Sequence, residues 1–459
     1  MSNLFASLNS SAGALGAYQQ ALNVIQNNVN NASTPGYARQ QMQLESLPFD
    51  ASNNLTGGVA AGEVQSTRNR WADQEVRQQV QDLGYFDQKA SIVQPLENAF
   101  DISGEDGIAG HLDRLFASFS AWSADPASGA SRQAVLDQAQ ALSASFQQTA
   151  QRLSEASISA RQQTGSTMQS INTLAAKIQG YNAERLRTGR ADAGLDAQLQ
   201  SSLEQLADLV NFSAHQEADG TVTVLVGGQS PLVISDRAYL ISPPDATADG
   251  VRVETADGRD ITAQVTGGRL GALLDFQNRL LPSTQSQLDR LAKGLADAMN
   301  EVLTSGRISD GPPPEEGKPL FTYDGTDGAS AAATLNLDSD ITADQLPAID
   351  PGPPYVSNGV ALRLADLGTA NGQVDDLSFS GYFGQIAGQI GKEAAGATED
   401  KSTHQQLLAQ ARSLRDQISG VSLDQEAVHL IEFQRAYQAT AQMVSVLNEL
   451  TQTTIDLLR

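Results

Sequence analysis

Apolar positions recur with helical spacing at both ends of the chain. Leu4, Leu8, Ser11, Leu15, Tyr18, Leu22, Ile25 and Val29 follow an unbroken alternation of four and three residues, with Ser11 the single polar member. That spacing aligns one side chain per turn on one helix face and describes a heptad seam. The predicted helix ends near Asn30–Ser33, because asparagines accept a left-handed cap and Thr34-Pro35-Gly36-Tyr37 cannot continue it. At the other end Gly420 stops one helix, and Ser422-Leu423-Asp424-Gln425 reads as the capping box of the next. Leu430, Phe433, Tyr437, Thr440, Val444, Leu447, Thr451, Thr454 and Leu458 then repeat the same spacing to the chain end.

Between these helices, 37–68 reads as irregular, broken by Pro48 and Gly57-Gly58. Helices are predicted from Trp71 to about Phe100 and from His111 to Trp122. Val135, Ala139, Leu142, Phe146, Thr149, Leu153, Ala156 and Ala160 form another seam. Ile171, Leu174, Ile178 and Tyr181 resume it after a gap of small residues, and Leu199, Leu203, Leu206 and Val210 follow a loop with Gly189 and Gly194. The period then switches to two. Thr221–Val226 and Leu232-Val233-Ile234 read as strands, and Val251, Val253 and Thr255 face Ile261, Ala263 and Val265 across an Asp257-Gly258 hairpin turn. Helix resumes from Arg269 to about Ser305, with Pro282 a kink or restart, and again from Tyr382. The expected fold is mainly α with inserted β. Residues 1–36 and 421–459 form a coiled-coil-like inner domain of terminal helices. Residues 37–210, 268–306 and 378–420 form a long-helix bundle, 211–267 a small outer β domain, and 307–377 an irregular insert.

Charge sharpens the picture at the ends. Met1 to Ala38 contains no Asp, Glu, Lys or Arg, and Arg39 is the first. At the chain average of 18% charged residues, about seven are expected there. Ala436 to Asn448 is uncharged as well. Helices without charge on any face suit a site surrounded by other protein, since buried unpaired charge is expensive. Pairing of the two ends with each other does not account for uncharged outer faces. Over all 459 residues, 29 Lys and Arg stand against 53 Asp and Glu, a balance of −24 that argues against nucleic acid and anionic membranes. The absence of cysteine excludes disulfides and thiolate chemistry. No apolar run is long enough to span a bilayer, and the N-terminus lacks the basic start and apolar core of a cleaved secretory signal.

The motifs of nucleotide-binding loops, serine hydrolases and zinc proteases are absent. Glu426, His429 and Glu432 have helical spacing but suit one metal poorly, and read as an ordinary helix face. Asp324-Gly325-Thr326-Asp327-Gly328 lacks the repeated ligands of a calcium loop and reads as a turn. The chain reads as neither an enzyme nor a cofactor or metal carrier.

Two motifs carry a resemblance. Asn28-Val29-Asn30-Asn31-Ala32-Ser33-Thr34-Pro35-Gly36-Tyr37-Ala38-Arg39-Gln40 resembles the N-terminal motif of the bacterial flagellar rod, hook and hook-associated proteins. Ser419-Gly420-Val421-Ser422-Leu423-Asp424-Gln425-Glu426 and Phe433-Gln434-Arg435-Ala436-Tyr437-Gln438-Ala439 resemble the matching C-terminal motif. Asn30 stands where the family usually has a small apolar residue, and Ser33 where Asn is common. Gly267-Gly268-Arg269-Leu270-Gly271-Ala272-Leu273-Leu274-Asp275-Phe276, followed by Leu288-Asp289-Arg290-Leu291-Ala292, is similar to the hook-associated branch. The resemblance implies an extracellular structural subunit at the junction of hook and filament, needed for filament assembly. It implies export through the flagellar type III apparatus without a cleaved signal, and an export chaperone on the C-terminal helix. Its implied partners are further copies of itself, the hook protein and a second hook-associated protein, with neither nucleic acid nor membrane insertion. The 307–377 insert is small for the family and reads as a reduced outer domain.

The expected assembly interface is Leu4, Leu8, Leu15, Tyr18, Leu22, Ile25 and Val29 with Leu430, Phe433, Tyr437, Val444, Leu447 and Leu458. Asn28, Asn31, Thr34, Pro35, Gly36 and Tyr37 are the motif positions beside it. A hook or rod subunit, or a secreted adhesin or hydrolase with reused axial ends, stands as the alternative. Two further expectations are an excisable 211–267 module and chain ends that are disordered before assembly.

Overall fold

A computed structural model describes every residue except 1, 51–54, 103, 105, 190–191, 243–244, 248–249, 312, 326–327 and 457–459, so Leu458 lies outside the described residues. The chain ends meet. Helix α1 (Ser2–Asn31) packs along α11 (Leu423–Asp456), and the Tyr18 and Phe433 rings approach to 6.3 Å between centroids. On α11 the predicted seam faces inward: Leu430, Phe433, Tyr437, Thr440, Val444, Leu447 and Thr454 are half-buried and Thr451 is buried. On α1 the deepest positions are Ala14, Ala17, Ala21, Ile25 and Asn28, of which only Ile25 belongs to the predicted seam. Leu4, Leu8, Leu15, Tyr18 and Leu22 are only half-buried, and Val29 is exposed. The expected seam is therefore displaced, because α1 has two neighbours and buries most the face between them.

The second neighbour corrects the expectation of irregular chain over 37–68. Strand β1 (Gln40–Asp50) pairs antiparallel with β2 (Leu55–Ser66), from Gln40 opposite Ser66 to Asp50 opposite Leu55, with a bulge after Met42. This two-stranded hairpin lies on α1. Ser10 Oγ donates to the Gly57 carbonyl at 2.6 Å, and a Cβ on Gly58 (φ +125°) would stand 2.3 Å from Ser10 Oγ. The glycines that read as breakers let the strand approach the helix.

The body begins with α2 (Arg70–Glu97), α3 (Ile108–Ala124), α4 (Gly129–Thr188) and α5 (Ala193–Leu209). Helix α4 runs 60 residues without interruption, capped by Ser128 and stopped by Gly189 in the left-handed conformation. Strands β3 (Phe212–Gln216), β4 (Val222–Val226), β5 (Ser230–Ile234) and β6 (Arg237–Ala238) form one antiparallel sheet in that order, beside a pair made by β7 (Asp245–Thr247) and β8 (Gly250–Arg252). The hairpin expected across Asp257-Gly258 is only a tight turn. Thr255 N donates to Arg259 O and Ile261 N to Val253 O, but Asp260 then accepts from Thr262 N and turns the chain into a 3-10 segment at Thr262–Gln264. Helix α6 (Gly268–Asp275), a π-turn at Phe276–Leu280 and α7 (Leu281–Thr304) follow without a break. Pro282 supplies no N–H, so the expected kink is accommodated by the wider turn before it.

Residues 307–377 contain two short strand pairs, β9 (Arg307–Ser309) with β10 (Glu315–Glu316) and β11 (Phe321–Thr322) with β12 (Asn336–Leu337). They also contain the short helices α8 (Ala331–Thr334) and α9 (Gly359–Leu367). Their Leu320, Phe321, Leu335, Leu346, Val360 and Leu364 join the core shared by α3, the first half of α4 and α7. Helix α10 (Phe379–Ser419) returns along α2 to the terminal helices.

A second core joins the β unit to the helices. Val222, Val224, Leu232, Val233, Val251, Val253 and Ile261 pack with Ile171, Leu174 and Ile178 of α4, Leu203 and Leu206 of α5, and Leu270 and Leu274 of α6. Side-chain amides fasten it: Asn172 exchanges hydrogen bonds of 2.8 Å with the Ile241 backbone, Asn182 bonds Val222 N and O at 2.9 and 2.8 Å, and Asn278 does the same to Val251. The β unit thus shares its core with the bundle, which argues against treating it as an excisable module.

Candidate functional site at the joined chain ends

The N-terminal motif and the C-terminal motif meet around one buried carboxylate. Glu426, in the first turn of α11, has no exposed surface. Arg39 Nε donates to its Oε1 at 2.6 Å, and Asn28 Nδ2 donates to its Oε2 at 3.2 Å. Asn28, itself buried, accepts on Oδ1 from the Tyr37 hydroxyl at 3.0 Å and from Gln40 N at 2.9 Å, and donates to Gln40 O at 2.8 Å. Burial, and then the nearby Glu426 carboxylate, hold the Tyr37 phenol above its ordinary pKa, so it stays a donor. Every polar atom of the Asn28 amide is thereby engaged, as a buried amide requires.

The turn between α1 and β1 is set by the motif. Thr34 N donates to Asn31 O and Tyr37 N to Thr34 O, while Asn31 bonds Asn27 and Thr34 locally and Pro35 stays exposed. Gly36 sits at φ +76°, where a Cβ would lie 2.4 Å from the Ala197 carbonyl of α5. Its own carbonyl accepts from Arg68 Nη2 at 2.6 Å, and Arg68 also pairs with Asp73 and Asp196. The elbow between α10 and α11 closes the joint. Ser419 O accepts from Arg39 N, and Ser419 Oγ accepts from Asn69 N at 3.0 Å and donates to Thr67 O at 3.2 Å. Gly36→Ala is expected to cost about 1–2 kcal/mol in left-handed strain alone, with the collision against α5 added. The measurement is amide exchange at Arg39 N–H, which should be at least about tenfold faster.

The structure therefore brings Asn28, Gly36 and Tyr37 together and leaves Asn31, Thr34 and Pro35 to shape the turn. Arg39, Arg68, Ser419 and Glu426 complete the site and are absent from the expected set. A signal for two of them is present in the sequence: Arg39 is the first charge after 38 uncharged residues, and Glu426 precedes the uncharged part of α11. Glu426, His429 and Glu432, read from the sequence as an ordinary helix face, are separated: Glu426 is buried against Arg39, while His429 Nδ1 lies 3.6 Å from Glu432. Among the described residues no group of three potential ligands converges on a metal position, and no helix is long and apolar enough to cross a membrane.

Beyond the joint the helix pair has little core. Among its described residues α11 buries only Glu426 and Thr451. Its outer face presents Val428, Ile431, Met443, Val446 and Leu450, each more than half exposed, and α1 adds Phe5. The exposed apolar residues of α11 lie on one side in two groups, Val428 with Ile431 and Met443 with Val446 and Leu450, separated by the exposed Glu432 and Arg435.

Comparison with known proteins matches three family models. A "Flagellar hook-associated protein FlgK helical domain" model matches 93–321, a "Flagellar basal body rod FlgEFG protein C-terminal" model 415–457, and a "Flagella basal body rod protein" model 8–37. The flagellar hook-associated protein 1 of Bacillus subtilis (strain 168) is 26% identical, covering 98% of this chain and 97% of that protein. Its counterpart in Salmonella typhimurium is 22% identical over 96% of this chain and 98% of its own. In fold, the chain is similar to the flagellar hook junction protein FlgK from Burkholderia pseudomallei, with a TM-score of 0.64 at 14% identity, over 75% of this chain and 99% of that one.

Proposed function

We propose that this chain, which belongs to the bacterial flagellar axial family of rod, hook and hook-associated proteins, is the structural subunit joining hook to filament. The observation that carries the reading is the terminal helix pair. Two helices from opposite ends of the chain are locked at one joint, yet keep large apolar side chains on the outside and, among the described residues, fully bury only Ala14, Ala17, Ala21 and Ile25 of their apolar ones. Such a pair is stable where neighbouring subunits cover it. The seam residues and the outer stripe of α11 then form the interface with further copies, with the hook protein and with a second hook-associated protein. The helical-domain match over 93–321 and the hook-associated names of the relatives favour the junction over a hook or rod subunit. In this account the chain leaves the cell through the type III apparatus uncleaved, with a chaperone on α11 beforehand.

Labelling a tagged copy in intact flagella tests this. Label confined to the boundary of hook and filament is the expected result; label along the hook or in the rod gives the alternative subunit, and absence from flagella rejects the reading. Val446→Asp on the outer stripe should leave export and monomer melting unchanged and abolish incorporation, measured by comparing secreted with flagellum-bound protein.

A further inference from the structure

The long helices of the body pass through two apolar cores with a polar level between them. The outer core takes Ile92, Val93 and Leu96 of α2, α4 as far as Ala160, and Ile386, Ile390 and Ala394 of α10. Nearer the terminal joint, α4 enters the inner core at Met168, while Val80 of α2 and Leu408 of α10 pack in a small cluster of their own. Between these limits the helices meet through polar side chains. Gln88 Nε2 of α2 donates to Gln163 Oε1 of α4 at 2.9 Å, and Gln277 Nε2 of the π-turn donates to Thr164 Oγ1 at 2.8 Å. Lys89 of α2 and Arg279 of the π-turn both reach Glu393 of α10, at 2.6 and 3.4 Å. Gln88, Thr164 and Gln277 are buried, and Gln277 Oε1 has no donor among the described residues.

Three of the helices are also interrupted at this level. Helix α4 carries the pair Gly165-Ser166 here, and Thr164 and Thr167 return their hydroxyls to the carbonyls of Ala160 and Gln163. Thr398 of α10 does the same to Ala394. Between α6 and α7 the hydrogen-bond register widens in the π-turn, where Leu281 N donates to Phe276 O. Glycine–serine pairs, back-bonded threonines and π-turns are the places where helices bend.

We propose that this polar level is a flexure, on which the outer block of α3, α9 and the 307–377 segment tilts as a unit over the inner block. Close-packed apolar cores behave as rigid bodies, whereas amide and ion-pair contacts exchange partners with one another or with water at small net loss. Helix α6 and the π-turn are the pivot, because they serve both cores within two turns: Leu270 and Leu274 the inner, Leu273 and Phe276 the outer. The inner block is fastened to the terminal joint by Arg68 on Asp196 and by Ser419 on Asn69 N. Tilting therefore carries the outer block relative to the joint, a hinge motion inside a continuous helical body.

The chain contains no cysteine, so introduced pairs carry spin labels without background. Ala117→Cys on α3 with Ala256→Cys beside the inner core spans the level, and Ala117→Cys with Leu362→Cys on α9 stays within the outer block; all three positions are exposed. In the monomer, the distance distribution across the level is expected to be at least about twice as broad as that within the block. Thr164→Val with Gln277→Leu makes the level apolar and should narrow it to the width of the within-block pair. Equal widths with the level unaltered overturn the proposal. A broad distribution that persists in the apolar-level chain places the motion elsewhere and overturns it too. Amide exchange on the unsubstituted chain gives a reading that needs no altered level: 161–167 should exchange at least about tenfold faster than 146–153 and 171–178. Uniform protection along α4 contradicts the flexure. Both measurements use the single chain and stand whether or not it is an axial subunit.

Discussion

Arg39→Leu is expected to abolish incorporation into the flagellum while the helical body melts as before. The substitution leaves the Glu426 carboxylate buried with only the Asn28 amide, and breaking a buried pair in this way costs about 3–5 kcal/mol. The rest of the joint offers little to offset it. Ala14, Ala17 and Ala21 contribute roughly 0.8 kcal/mol per buried methyl, and Ile25 about 1.5–3. Docking of the two ends should weaken by roughly two to three and a half orders of magnitude, since each 1.4 kcal/mol is tenfold. Arg39→Leu with Glu426→Leu should recover most of the loss, because an apolar replacement of both partners removes the uncompensated charge. The comparison is flagellum-bound against secreted protein for the three chains, with calorimetry of each monomer. No recovery in the double variant would show that Arg39 acts on a neighbouring subunit and not on Glu426.

Excising 211–267 and closing the gap with a Gly-Ser linker is expected to destroy the fold of the remaining body. Ile171, Leu174, Ile178, Leu203, Leu206, Leu270 and Leu274 pack against that unit from three helices. Partial re-exposure of those side chains costs on the order of 5–10 kcal/mol, against a usual total stability of about 5–15. Asn182, only 1% exposed, would also lose both Val222 partners. Aggregated or protease-sensitive product is the expected outcome. A soluble excised chain with a cooperative melt would show that the helices close over the gap by themselves.

The parts of this molecule that were readable without coordinates are those in which local pattern and final packing agree. The α11 seam is one, since its single main neighbour lies on the seam side. Helix α4 was readable only in two pieces because its middle buries polar residues: Thr164 and Thr167 return their hydroxyls to the carbonyls of Ala160 and Gln163, and Thr164 also accepts from Gln277. The hairpin at 40–66 gave no alternating signal, since Leu47, Phe49, Leu55 and Val64 face solvent and its glycines serve contact with α1. At the joint, the family motif located Asn28, Gly36 and Tyr37. Its centre, the pairing of Arg39 with Glu426, joins residues 387 apart, and no local spacing expresses such a contact.

The central claim, that α1 and α11 form an interface completed by neighbouring subunits, is tested most directly by amide exchange on the same chain as dilute monomer and within isolated flagella. Ordering roughly 30 residues of one helix costs on the order of 30–60 kcal/mol before hydrogen bonds are credited, and the few buried side chains of the pair do not match that. Residues 2–33 and 430–456 should exchange like unstructured chain in the monomer and become protected on assembly, while 131–188 and 193–210 stay protected in both states. Slow exchange at both ends in dilute monomer would contradict it and make the helix pair a self-sufficient coiled coil.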